Sequence, residues 1–154
     1  MSKLEKLESV SDLGLLFSAI KAEMVSSIDQ ELASFELTAA QYRVVMILSD
    51  NGQTTLANLC ENMDCDRGAM SRLLCRLEKK GLINKHPSTE DKRSVYLRLS
   101  DKGRAFLPNI LPKVDAVFNN ALKNFSQEER KLLRGLLLRF FDGLKQDRMD
   151  IEEI

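Results

Sequence analysis

The chain is poor in the residues that nucleophilic and metal-assisted chemistry draws on. Its 154 residues hold one histidine, no tryptophan and three cysteines. The histidine, His86, has no nucleophile motif and no phosphate loop around it, so catalysis is not expected. Cys60, Cys65, Cys75 and His86 lack the paired C-x2-C spacing of a closed zinc site. No metal and no cofactor is expected. An odd cysteine count implies no disulfide framework. Apolar runs fall short of the roughly 18 residues a membrane span needs. The segment MSKLEKLESV mixes Lys3 and Lys6 with Glu5 and Glu8 and has no signal-peptide core. A cytoplasmic protein with no membrane partner is the expectation.

Charge of one sign is also missing overall, since 23 cations balance 23 anions. The distribution is uneven. From Asp64 to Arg104 eleven cations face six anions, a net of +5, which leaves −5 for the remainder. A positive field is thereby confined to one module.

Helical spacing dominates what is present. Leu13, Leu16, Phe17, Ile20, Met24 and Ile28 recur at three and four residues, which predicts a first helix from about Ser11 to Ala33. Thr38 can cap a second helix over Ala39 to Leu48, with Tyr42, Val45, Met46 and Val44 as inward candidates. Asp50-Asn51-Gly52 reads as a turn. Thr54 or Thr55 caps a short third helix through Leu56, Leu59 and Cys60. Asp64 or Asp66 caps a fourth, which Gly81 ends.

In that fourth helix Ala69, Met70, Leu73 and Leu77 form an apolar stripe. Gly68, Ser71, Arg72, Cys75, Arg76 and Lys79 lie on the other side. The period then changes from 3.6 to 2. Val95, Leu97 and Leu99 alternate with Tyr96 and Arg98, as in a strand with one wet face. Leu82 to His86 is its expected partner, and Pro87 to Arg93 the connecting loop. Ser100 caps a long fifth helix, in which Pro108 and Pro112 predict a kink or a late start. Ser126-x-x-Glu129 is a capping box opening a last helix. On that helix Leu132, Leu133, Leu136, Leu137, Phe140 and Leu144 make a wide apolar stripe. No internal repeat and no low-complexity linker is present.

The order is four helices, two strands and two helices. The segments LTAAQYRVVMIL, LANLCENMDCDRGAMSRLLCRLEKKGLI and STEDKRSVYLRLSDKG resemble the MarR family of winged-helix transcriptional regulators. The resemblance implies a mainly α fold with a small β-wing. Residues 37–103 would be the winged helix-turn-helix module, and 1–36 with 104–154 the helical dimerisation module, as one continuous structural unit. Double-stranded DNA and a second copy of the chain are the implied partners, with recognition helices about 34 Å apart on a palindromic operator.

The resemblance also implies site residues. Arg72 and Arg76 match positions that read or clamp DNA, where Arg can fork onto guanine. Arg67 and Ser71, nearer the helix start, would reach bases or phosphates. Arg93 resembles the family's minor-groove arginine, with Lys92 on phosphate and Asp91 orienting Arg76 or Arg93. Thr38, Gln41 and Thr54 are candidate phosphate donors near helix N-termini.

Family members of this kind often bind small phenolic or aromatic effectors, for which Phe17, Tyr42 and Phe106 would be lining residues. The expected function is a DNA-binding regulator, acting as a repressor that such an effector releases. Two alternatives remain open. One is a thiol redox switch at Cys65, whose thiol a helix N-terminus would acidify, or at Cys75 between the arginines. The other is a winged helix used for protein contact.

Overall fold

A computed structural model describes residues 12–87 and 95–152. Its helices begin where capping side chains permit. Helix α1 spans Asp12–Leu32 and closes in a 3-10 turn over Ala33–Phe35. Helix α2 spans Ala39–Asn51. Its capping box is complete, with Gln41 N–H donating to Thr38 Oγ1 and Thr38 N–H donating to Gln41 Oε1. The Ala39 amide donates to Asp29 Oδ1 at 2.6 Å, which ties α1 to the start of α2. Gly52, at φ 73°, turns the chain out of α2.

Three short strands and two helices follow. Strand β1 is Thr54–Thr55, and helix α3, Leu56–Met63, is capped by Thr55. Asp64 adopts a left-handed φ of 48° and ends α3. Helix α4, Arg67–Lys79, is capped by Asp66, whose Oδ1 accepts from Ala69 N–H at 2.8 Å. Gly81, at φ 72°, redirects the chain into strand β2, Ile83–Pro87. Strand β3, Val95–Leu99, pairs antiparallel with both others, so the sheet order is β1-β3-β2. The two-residue strand β1 escapes a periodicity reading, because alternation needs more than two positions to show.

Helix α5 spans Asp101–Ala121 without interruption, so the expected late start is overturned. Pro108 and Pro112 are both exposed. The carbonyls that lose a donor to them lie on the same outer face, where water can replace it. Ser100 Oγ accepts from Gly103 N–H at 2.9 Å and so caps the helix. Helix α6 covers Gln127–Glu152, opened by the reciprocal Ser126–Glu129 capping box.

The chain divides into two compact units, residues 1–117 and 118–154. In the first, Leu32, Val44, Val45, Leu48, Leu59, Met70, Leu77, Ile83 and Ile110 are almost completely buried. Burying each such side chain contributes on the order of 2 kcal/mol. Leu74, absent from the predicted stripe of α4, is buried and Leu73 only half-buried. Val95, expected inside, is 47% exposed at the outer end of β3. Leu13, Ile20 and Met24 of α1 are also exposed.

The second unit has no buried hydrophobic residue among those described. Arg130 closes its turn by donating to the carbonyls of Leu122 and Phe125. Leu132, Leu133, Leu136, Leu137, Phe140, Phe141 and Leu144 all stand exposed on α6.

Candidate nucleic-acid interface

Helix α4 turns one face to the core and the other to solvent. Met70, Leu74 and Leu77 anchor it, while Arg67, Gly68, Ser71, Arg72, Cys75, Arg76 and Lys79 are exposed. Among the described residues, the ion pairs join Lys80 to Glu36, Lys85 to Glu78 and Arg104 to Asp101. Among the described residues none of these three pairs involves Arg67, Arg72 or Arg76, whose guanidinium groups stand on the exposed face.

Asp66 shapes the start of this face. A Cβ built on Gly68 would lie 3.1 Å from Asp66 Oδ1 and 3.5 Å from Arg72 Nη1. Arg72 thus folds back along α4 toward Asp66, through a slot that the missing side chain leaves open. Amide hydrogen bonds from Ala69 and Gly68, with the nearby Arg72 charge, hold the Asp66 carboxyl below the usual aspartate range. The two residues are six apart, outside the i, i+4 spacing by which sequence reasoning finds helix neighbours.

Three further contacts brace the module. Glu78 Oε2 accepts from Lys85 Nζ at 2.6 Å, linking α4 to β2. Arg43 on α2 donates to the Asn62 carbonyl at 2.7 Å, at the carboxyl end of α3. Arg98 on β3 donates through Nε to Gln53 Oε1 at 2.9 Å, just ahead of β1. These residues carried no helical or strand signal of pairing, since each joins positions distant in sequence.

The other predicted residues divide clearly. Thr38 is exposed and its Oγ1 accepts from Gln41 N–H in the cap, which leaves the hydroxyl able to donate. Thr54 is 5% exposed within β1, paired with Leu97, and Gln41 is 4% exposed in its capping box. Burial removes both from contact with a phosphate, which corrects that expectation. Asp91, Lys92 and Arg93 lie outside the described residues.

Phe17, Tyr42 and Phe106 are half-buried. Phe106 meets Phe35 edge-on, with centroids 5.5 Å apart. Burial, with Asp115 and Asp50 nearby, pushes the Tyr42 phenol up from its ordinary value. The groove of about 780 Å³ along α1 is lined by Ser18, Lys21, Val25, Asp29 and neighbours, and by none of these three aromatics.

The cysteines also separate. Cys75 is exposed on the outer face of α4. Cys65 is half-buried beside Cys60, and its thiol is pushed up, not down. Desolvation is the first cause, followed by the Cys60 thiol and the Asp66 and Asp64 carboxylates. The expected acidification at the helix start is therefore overturned, chiefly because the thiol is desolvated, with the neighbouring Cys60 and carboxylates adding to the effect.

Comparison with known proteins agrees with this arrangement. The MarR family profile matches residues 37–95, from α2 through the start of β3. The transcriptional regulator MgrA of Staphylococcus aureus is 31% identical over 115 residues, covering 73% of this chain and 77% of its own. The chain belongs to the MarR family.

An organic hydroperoxide resistance transcriptional regulator of Bacillus subtilis is 26% identical over 94% of this chain and 97% of its own. A mutant MarR from E. coli complexed with operator DNA superposes with a TM-score of 0.75. It is 25% identical, over 86% of this chain and 99% of that one. As a MarR-family member the chain is a DNA-binding transcriptional regulator, not an enzyme. Among the described residues no helix is long and apolar enough to cross a membrane.

Proposed function

We propose that the chain acts as a homodimeric repressor on a palindromic operator, reading the major groove with α4 and the minor groove with the loop between β2 and β3. The observation that carries this reading is the exposed face of α4, where Arg67, Ser71, Arg72 and Arg76 stand together over a buried apolar back. Arg72 and Arg76 are the base readers, and Arg67, Ser71 and Thr38 the flanking contacts. Arg93 enters the minor groove beside Lys92 on phosphate, and Asp91 orients the arginines. A repressor of this kind works in the compartment that holds the chromosome, the cytoplasm.

Residues 37–103 form the DNA-binding module in this reading, and the helices outside it form the dimer. Leu136, Leu137 and Phe141 on α6 are 43–52% exposed, as are Leu13 and Ile20 on α1 at 40% and 44%. A second copy of the chain is the partner these faces suit. A small aromatic or phenolic effector, approaching Phe17, Tyr42 or Phe106, releases the operator. By linkage, DNA then weakens the effector by the same factor.

The deciding experiment measures binding to the chain's own upstream region across a salt series. Affinity must fall with a log–log slope of about −0.9 per phosphate contact, and sedimentation must give a dimer. Salt-independent binding or a monomer at assay concentration refutes the reading. A phenol series added to the complex tests the effector.

A second reading is favoured by the exposure of Cys75 on the DNA-facing side of α4. Oxidation there would place bulk and charge between Arg72 and Arg76. Peroxide treatment should then weaken operator binding in the parent and not in Cys75→Ser.

A further inference from the structure

Two of the three cysteines close the turn that leads into α4. Cys60 sits in the last turn of α3 and Cys65 follows Asp64, the left-handed residue that ends it. The Cys65 amide donates to the Cys60 carbonyl at 3.2 Å, which folds the two residues back on each other. This is the six-residue helix-end closure whose two terminal side chains commonly lie together, and the Cys60 thiol is among the groups that act on Cys65. Both are half-buried and pack against the core that seats α3 and α4.

We infer that Cys60 and Cys65 form a dithiol site that chelates a trivalent arsenical. The donor set and its shape select this chemistry. Among the described residues no group of three or more His, Cys, Asp and Glu side chains could hold a metal ion, so a tetrahedral zinc site is not available. A linear two-coordinate cation such as Cu(I) needs its sulfurs on opposite sides, an arrangement poorly matched to two cysteines closed into one tight turn. A pyramidal As(III) centre holds two sulfurs on one side, at close spacing. Desolvation in the turn also pushes the Cys65 thiol up from its ordinary value. That slows attack on peroxide, which needs the thiolate. It does not impede condensation with an arsenous group.

The reaction is balanced without any redox change. With phenylarsine oxide, both thiol S–H bonds break, two As–S bonds form and the oxygen leaves with both protons as one water. With arsenous acid, two hydroxyls leave as two waters and one stays on arsenic. The inserted atom fixes the spacing of two sulfurs that pack against the core at the turn from α3 into α4. Resting on the operator reading above, the chelate weakens DNA binding by displacing α4.

Phenylarsine oxide is the probe for the full-length chain. Intact mass should show one adduct per chain, reversed by dimercaptopropanol and not by excess monothiol. In the parent protein the adduct should protect Cys60 and Cys65 from alkylation and leave Cys75 reactive, a measurement that needs no variant. Cys60→Ser and Cys65→Ser should each bind at least tenfold more weakly, and Cys75→Ser like the parent. Protection of Cys75, or adduct formation in Cys60→Ser within twofold of the parent, overturns the site. Operator affinity should fall at least tenfold on chelation. Unchanged affinity overturns the coupling alone, and an intact chelate in a chain that binds no operator overturns the operator reading alone.

Discussion

A methyl group added at Gly103 would lie 2.1 Å from the Leu82 carbonyl oxygen and 3.1 Å from its carbonyl carbon. Gly103 is in the first turn of α5, and Leu82 joins α4 to β2. The obstacle is backbone and cannot rotate away. The carbonyl is already held by the Ser100 amide at 3.0 Å, and Ser100 Oγ donates to the Gly81 carbonyl while accepting from Gly103. Relieving the overlap moves the start of α5 by about 1 Å, enough to forfeit much of the local contact energy.

Overpacking costs roughly 2 kcal/mol. Two weakened hydrogen bonds add about 1 kcal/mol each. The better helix propensity of alanine returns about 1 kcal/mol. Gly103→Ala should therefore lose about 3 kcal/mol, roughly a 150-fold change in the unfolding equilibrium. For a chain of this size that lowers Tm by about 6–12 °C. Thermal and urea unfolding at one fixed protein concentration would measure it, because association also shifts apparent stability. Gly81→Ala is the internal comparison, since it has room for the methyl but a φ of 72°. It should cost only about 1–2 kcal/mol. A Gly103→Ala protein that melts within about 2 °C of the parent would refute the packing argument.

Arg72→Ala and Arg76→Ala should each cost about 1–3 kcal/mol of operator affinity and relax preference at one base pair, read by competition with single-base operator variants. Arg93→Ala should weaken binding to A·T-flanked sites with no change in melting; if all three bind like the parent, the site is misassigned. Leu136→Asp, which charges an exposed apolar position on α6, should give a monomer by sedimentation and lose operator binding indirectly. The Asp66 carboxyl is held below its unfolded value, so its cap stabilises α4 above the ordinary aspartate range, and that contribution disappears as pH falls through the depressed folded value. Asp66→Asn should flatten this acid limb in a pH–stability series, and an unchanged limb would show that the cap contributes nothing.

Local chemistry was legible wherever one residue type has one role. Thr38, Asp66, Ser100 and Ser126 were readable as caps because their side chains compete for nearby amides whatever the tertiary context. The exposed face of α4 was readable because helical period sorts residues into two sides. Other features were hidden. Thr54 and Thr55 are adjacent, and only pairing with β3 buries the first and leaves the second to cap α3. Cys65 carries a helix-start signature, yet desolvation in the turn, with the Cys60 thiol and the carboxylates of Asp66 and Asp64, outweighs it.

By itself, the order of residues determined the helices, the wing strands β2 and β3 and the basic face, since caps, periodicity and charge act over a few positions along the chain. Tertiary structure alone decided that Lys85 reaches Glu78, that Gly103 abuts Leu82 and that Thr54 is out of reach. Those outcomes depend on which distant segments come within a few ångströms, and close contact is a property of packing that no local pattern encodes.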